Sequence, residues 1–198
     1  MCYQQNFEWT AWMANILRKL VVIGLLLASS FRVSAEITIF DGYFMDTDSD
    51  LDWRVITSDT MGWSYNFVSN NFDAGEKFEG WRYATDLELL ILVNNVGGSE
   101  VTDYTKTTLT EDAAEYSIAD DLITYFSPTS SANNTRLTSG LLLQDGSSKI
   151  WVAEIADRDS PNVDDTVYIH RTGGNGVDGN YTQSAVGSFL VRESVSPN

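Results

Sequence analysis

The stretch Thr85-Asp86-Leu87-Glu88-Leu89-Leu90-Ile91-Leu92-Val93, together with the runs Leu141-Leu142-Leu143 and Ile150-Trp151-Val152-Ala153-Glu154-Ile155, decides the fold. Thr85 stands three residues before Glu88, the spacing of a capping box. The hydroxyl accepts from a free backbone N–H of the first turn, and the carboxylate reaches back to the N–H of the cap. Leu87 to Val93 is apolar nearly all round, which predicts a helix buried on most sides, ended by Asn94-Asn95 and Gly97-Gly98. The two later runs flank Gln144-Asp145-Gly146-Ser147-Ser148, where Gly146 can supply the positive φ of a hairpin turn.

Working outward, Ile37 to Phe40 and Trp53 to Ile56 read as strands, separated by an acidic, turn-rich segment from Asp41 to Asp52. Ser64 is placed to cap a short helix through Phe72, with Phe67, Val68 and Phe72 on or near one face, and Asp73 to Lys77 is a loop. Thr110 to Phe126 carries a second helical pattern, with Ala114, Ile118, Leu122 and Tyr125 or Phe126 spaced for one face. Ser127 to Ser139 is rich in Ser, Thr and Asn and predicts an exposed loop. Thr166 to His170 and Phe189 to Arg192 predict further strands, and Gly173 to Gly179 a flexible loop. The sum is an α+β domain with an antiparallel sheet and two or three helices in its N-terminal half.

The chain has 198 residues, 43% hydrophobic and 12% aromatic, enough for one domain with a real core. Its formal charge of −16, from 12 basic and 28 acidic residues, argues against nucleic acid, whose phosphates need Lys and Arg. One His and one Cys leave little room for metal or nucleophile chemistry.

Arg18-Lys19, the apolar run Leu20 to Ala28, and small residues at Val33 and Ala35 form the pattern of a cleavable signal peptide. The run is shorter than the ~20 apolar residues a membrane span needs. Residues 1–35 are therefore expected to be an export segment, with Met13 a start of ordinary proportions and residues 1–12 an upstream extension. Without a Cys at the cleavage site or an Arg-Arg pair, lipid anchoring and twin-arginine export are disfavoured, and general secretion is expected. Cleavage after Ala35 would remove Arg18, Lys19, Arg32 and Glu8, leaving 9 basic and 27 acidic residues and a charge of −18. It would also remove Cys2, so residues 36–198 would form a secreted domain without disulfides.

Leu51-Asp52-Trp53-Arg54, Ser64-Tyr65-Asn66-Phe67-Val68, Gly80-Trp81-Arg82-Tyr83-Ala84-Thr85-Asp86-Leu87-Glu88, Trp151-Val152-Ala153-Glu154 and Gly187-Ser188-Phe189-Leu190-Val191-Arg192 together resemble the ectodomain of secreted bacterial proteins that carry a PEP-CTERM sorting signal. Members of that family usually continue into Val-Pro-Glu-Pro, an apolar helix and a basic tail. Here Glu193 to Asn198 takes that place, which puts anchored surface location by that route in doubt. Trp81-Arg82-x-x-Thr85-x-x-Glu88-Leu89 is also similar to a motif of bacterial Lcl C-terminal-like domains. That likeness implies a C-type-lectin-like fold whose first and last strands pair, which would bring Trp53–Ile56 near Phe189–Arg192. Such folds host glycan binding, protein binding and catalysis, and likeness of fold does not choose among them.

Two groups are candidate sites. Trp81, Arg82 and Tyr83 would form an aromatic platform for a sugar ring, or, in the structural reading, Arg82 would pair with Glu88 and fix the loop before the helix. Asp46, Asp48, Asp50 and Asp52 stand at alternate positions, as in a calcium loop. They depart from an EF-hand, which would have Gly where Trp53 stands and Glu where Asp59 stands. The alternative to Ca²⁺ is a solvated acidic surface. His170 has no His or Cys partner for a zinc site and is expected to be a packed or surface imidazole. The expected function is a non-enzymatic exported bacterial surface or matrix domain binding neutral glycan or protein. A carbohydrate-active enzyme using two carboxylates and a purely structural matrix protein are the alternatives.

Overall fold

The structure is a computed structural model that describes residues 36–97, 101–102, 104, 107–109, 115–132, 134–158, 165–171 and 175–194. The signal-peptide reading and part of the Gly173–Gly179 loop lie outside the described residues. The described strands are β1 (Ile37–Phe40), β2 (Tyr43–Asp46), β3 (Leu51–Arg54), β4 (Arg82–Tyr83), β5 (Thr107–Leu109), β6 (Ser130–Ala132), β7 (Thr135–Leu143), β8 (Ile150–Arg158), β9 (Asp165–Tyr168), β10 (Gly187–Ser188) and β11 (Leu190–Glu193). Three helices accompany them: α1 (Tyr65–Ser69), α2 (Asp86–Gly97) and α3 (Glu115–Phe126).

The strands form two sheets in an α+β fold. The first runs β1-β2-β3-β11-β4; the second runs β10-β7-β8-β9-β5, with β6 also on β7. All pairings are antiparallel except β10 with β7. The expected neighbours Trp53–Ile56 and Phe189–Arg192 do meet, with Val191 opposite Trp53 and Arg192 opposite Asp52, while the first strand, β1, pairs with β2.

The main core lies between the sheets and the two longer helices. Phe44, Trp53, Phe126 and Phe189 are fully buried at its centre, and Phe126 meets the other three edge-on at 5.0, 5.6 and 4.8 Å. Leu89, Leu92 and Val93 of α2 close it, with Ile118, Leu122 and Ile123 of α3 and Trp151, Ala153 and Ile155 of β8. A second core on the opposite side gathers Val68, Phe78, Trp81, Tyr83, Leu141, Val152 and Leu190. Strand β8 thus feeds both cores, and every residue from Ile150 to Asp157 is buried. Gly140 is required where the sheets meet, because a Cβ there would stand 2.7 Å from the Phe189 ring.

The capping box forms as expected. The Glu88 N–H donates to the Thr85 hydroxyl at 3.2 Å, and the Thr85 N–H to the Glu88 carboxylate at 2.8 Å. Leu89, Leu90, Leu92 and Val93 are buried, but Leu87 and Ile91 are 39% exposed, and α2 continues through Asn94 and Asn95. The β7–β8 hairpin also forms, with Gly146 at φ +63°.

Four expectations are corrected. Asp41–Asp52 contains the strand β2, because Phe44 buries its side chain while Asp46 satisfies the turn after it. The following strand starts at Leu51 rather than Trp53 and ends at Arg54. Ser127–Ser139 is not a loop: most of it belongs to β6 and β7, and Thr138 and Ser139 are buried with their hydroxyls bonded to the Ser127 carbonyl and the Glu154 carboxylate. The short helix ends at Ser69, where only Val68 is buried and Phe67 faces out. Helices α1 and α2 lie in the N-terminal half of the chain, and α3 lies beyond its midpoint.

Candidate functional site

The segment singled out in the sequence begins after Gly80, whose φ is +77°. Trp81 is 8% exposed and Tyr83 3%, so of the three candidates for a sugar platform only Arg82 is exposed. The Arg192 guanidinium lies over the Trp81 ring at 4.6 Å and Arg54 at 5.6 Å, while the Tyr43 ring meets its edge at 6.4 Å. Arg192 also covers Tyr43 and donates from Nε to Asp52 at 2.9 Å. Burial lowers the pKa of Arg54, as does the neighbouring Arg192, against the pull of Asp59. Tyr83 stacks on Tyr65 at 4.5 Å and meets the hydroxyl of Ser188 at 3.0 Å. Its phenol is pushed well up by burial, against the opposing Ser188 hydrogen bond.

Arg82 is the exposed member. It holds Glu88 through two hydrogen bonds of 2.9 and 2.6 Å, the pairing foreseen in the structural reading. Burial works to raise the Glu88 carboxyl, but Arg82 and the Thr85 N–H outweigh it and hold the group below its ordinary range. The Glu88 hydrogen bond in turn raises Arg82. The segment locks β4 to the start of α2.

The four alternating acids do not converge. Asp46 is fully buried and accepts from the Asp48 N–H, the Ser49 hydroxyl and the Asn95 amide, tying the β2–β3 turn to α2. Asp52 is committed to Arg192, and Asp48 and Asp50 are exposed in the turn, with Asp50 at φ +54°. Among the described residues no three His, Cys, Asp or Glu side chains are grouped to hold a metal ion. Of the calcium-loop candidates Asp46, Asp48, Asp50 and Asp52, two already have protein donors, Asp46 and Asp52.

Sequence reasoning missed a junction around His170. Its ring lies between Trp151, stacked at 4.1 Å, and Tyr104, at 5.0 Å, and Nε2 meets Asp86 Oδ2 at 2.7 Å. The other Asp86 oxygen accepts from the Leu87 and Asp145 N–H groups at 2.8 Å each. The start of α2, the β7–β8 turn and the end of β9 are thereby joined through one buried carboxylate. Burial, helped by Asp86 and Asp145, raises the Tyr104 phenol.

Two further features were not legible in the sequence. Asp165 is 4% exposed; burial raises its carboxyl against the Arg158 N–H hydrogen bond, and Asp157 adds to the rise. Its Oδ1 accepts that N–H at 2.8 Å, while its Oδ2 has no hydrogen-bond partner among the described residues. Nearby, Arg136 bridges Asp120 and Asp157. On another surface, Trp63 and Phe67 stack on each other with centroids 4.2 Å apart and are 44% and 43% exposed. The chain matches no protein-family model, no curated protein and no solved structure.

Proposed function

We propose that this chain is a non-enzymatic, exported bacterial surface or matrix domain of the PEP-CTERM-associated type, built on a C-type-lectin-like frame and binding neutral glycan or protein. The observation that carries this reading is the pairing of β11 with β3 and β4, which seats Trp81 under Arg192 and so gives the Gly80–Glu88 segment a packing role. The reading predicts that the precursor, expressed in a Gram-negative host, is exported and acquires Glu36 as its N-terminus. Recovery of the protein in the cytoplasm with residues 13–35 still attached would sink it.

The second reading, a carbohydrate-active enzyme, draws on Asp165, a buried carboxyl held above its ordinary range. It predicts that polysaccharide turnover by the exported protein is lost in Asp165→Asn while the fold is kept. Turnover of that kind would replace the non-enzymatic reading.

A further inference from the structure

Trp63 and Phe67 are large apolar side chains that the fold leaves out of both cores. Ser64 accepts from the Phe67 N–H at 3.2 Å, which fixes both rings at the start of α1. A neighbouring loop is held alongside: Gly62 donates to the Val186 carbonyl and Asn66 to the Gly179 carbonyl, each at 2.9 Å. The approach at Gly179 is so close that a Cβ would stand 2.6 Å from Asn66 Oδ1. The Asn66 amide reaches Asn180 Oδ1 at 2.9 Å, and the Tyr181 hydroxyl donates to Gln183 at 2.6 Å.

These residues make an aromatic shelf with a carboxamide rim. Each ring gives one face to its neighbour, and the exposure that remains lies on outer faces and edges. A carboxamide offers two N–H donors and two acceptor lone pairs. The Asn66–Asn180 bond uses one donor of the first residue and one lone pair of the second, which leaves several groups to meet a ligand. Residues 62–69 and 180–186 carry no charged side chain. Asp178 stands beside the rim, and its Oδ1 accepts from the Asn180 N–H.

Charge selects the occupant. A chain of formal charge −16 repels anionic polymers and a second copy of itself. The shelf itself has uncharged side chains, with the Asp178 carboxylate beside it already accepting from the Asn180 N–H. What fits is a neutral molecule with one flat apolar face and an edge of hydroxyls. We propose that Trp63, Phe67, Asn66 and Asn180 form a docking shelf for a pyranose ring of a neutral polysaccharide. The ring's C–H face lies on the outer face of Trp63, which Phe67 backs, and its hydroxyls exchange hydrogen bonds with the two carboxamides. This assignment rests on the binding reading above and gives it a site.

The test is affinity electrophoresis of the full chain through gels containing galactomannan, mixed-linkage β-glucan or neutral xylan, at low and high salt. At least one of these is expected to retard the parent chain equally at both salt levels. Trp63→Ala should weaken that retardation roughly tenfold, with smaller losses for Phe67→Ala and Asn180→Ala. The melting temperature of Trp63→Ala reports its folding, and Trp63→Phe should recover part of the binding. Undiminished retardation of a folded Trp63→Ala chain would overturn the shelf while leaving the binding reading intact. Retardation by none of the three polymers would overturn the assignment to a neutral sugar, leaving export to be judged separately by the N-terminal peptide. Salt-sensitive binding of a choline or oligolysine probe, lost in Trp63→Ala, would overturn it in favour of a cation site.

Discussion

Trp81 and Trp63 each stand in an aromatic cluster near the start of a helix, and the fold treats them in opposite ways. Trp81 is 8% exposed and lies beneath two guanidinium groups; Trp63 is 44% exposed and stacks on Phe67. The difference comes from what the distant chain supplies. β11 brings Arg192 over Trp81, whereas the loop held against Gly62 and Asn66 brings Gly179, Asn180 and Ser184, which are too small or too polar to bury an indole. An aromatic residue is thus a core residue or a surface residue according to its partner strand, and the local motif does not decide.

The sharpest way to break this contrast is to truncate both indoles. Trp81→Ala should cost about 3–5 kcal/mol by opening a cavity in the second core, while Trp63→Ala stays within about 0.5 kcal/mol. Urea melts of the two variants would measure the difference, and equal losses would erase the distinction. A smaller effect is expected from Arg192→Met, which keeps the apolar stem over Trp81 and strands the buried Asp52 carboxylate. A loss of about 2 kcal/mol is expected, partly recovered by adding Asp52→Asn. If the second change recovers nothing, the Arg192–Asp52 hydrogen bond is not what anchors β11.

Next in size is Thr85→Ala, which removes one half of the capping box and should cost about 1 kcal/mol. The same segment offers a comparison of sign in acid. Glu88 is held low in the folded state, so its contribution is present above its unfolded value near ~4.3 and is lost as pH falls through the folded pKa. Asp165 is held high, so it subtracts from stability at neutral pH and returns that loss as pH falls through its folded pKa toward about 3.9. Asp165→Asn should therefore be more stable than the parent at neutral pH and lose that advantage on acidification. Glu88→Gln should start less stable, with the gap closing in acid. Parallel stability curves for all three chains would refute both assignments.

Features fixed by near neighbours were legible in the sequence. The Thr85–Glu88 box, the Gly146 turn and the Ser64 cap each need only residues three or four apart, and each forms. The α+β class followed from the same local signals. What was hidden depends on remote partners. Asp46 reads as a metal ligand until Asn95 and its own turn occupy it, and Thr138 and Ser139 read as loop until Ser127 and Glu154 take their hydroxyls. His170 is separated from Asp86 by 84 residues, and no spacing rule connects them. Trp63 carried no sequence signal, because exposure of an aromatic ring reflects a missing cover rather than a motif.

The placement of β11 sets an order of events. The strand lies inside the first sheet, between β3 and β4, and the Arg192–Asp52 bond spans 140 residues. A chain emerging from its N-terminus therefore completes β1 to β3 long before their neighbour exists, and must hold Trp53 and Trp81 without their final cover until residues 187–193 arrive. Contacts of such long separation fold slowly, because loop closure comes before the contacts that reward it. The sheet works as a latch thrown last: β3 and β4 are joined only once residues 190–193 are in place between them.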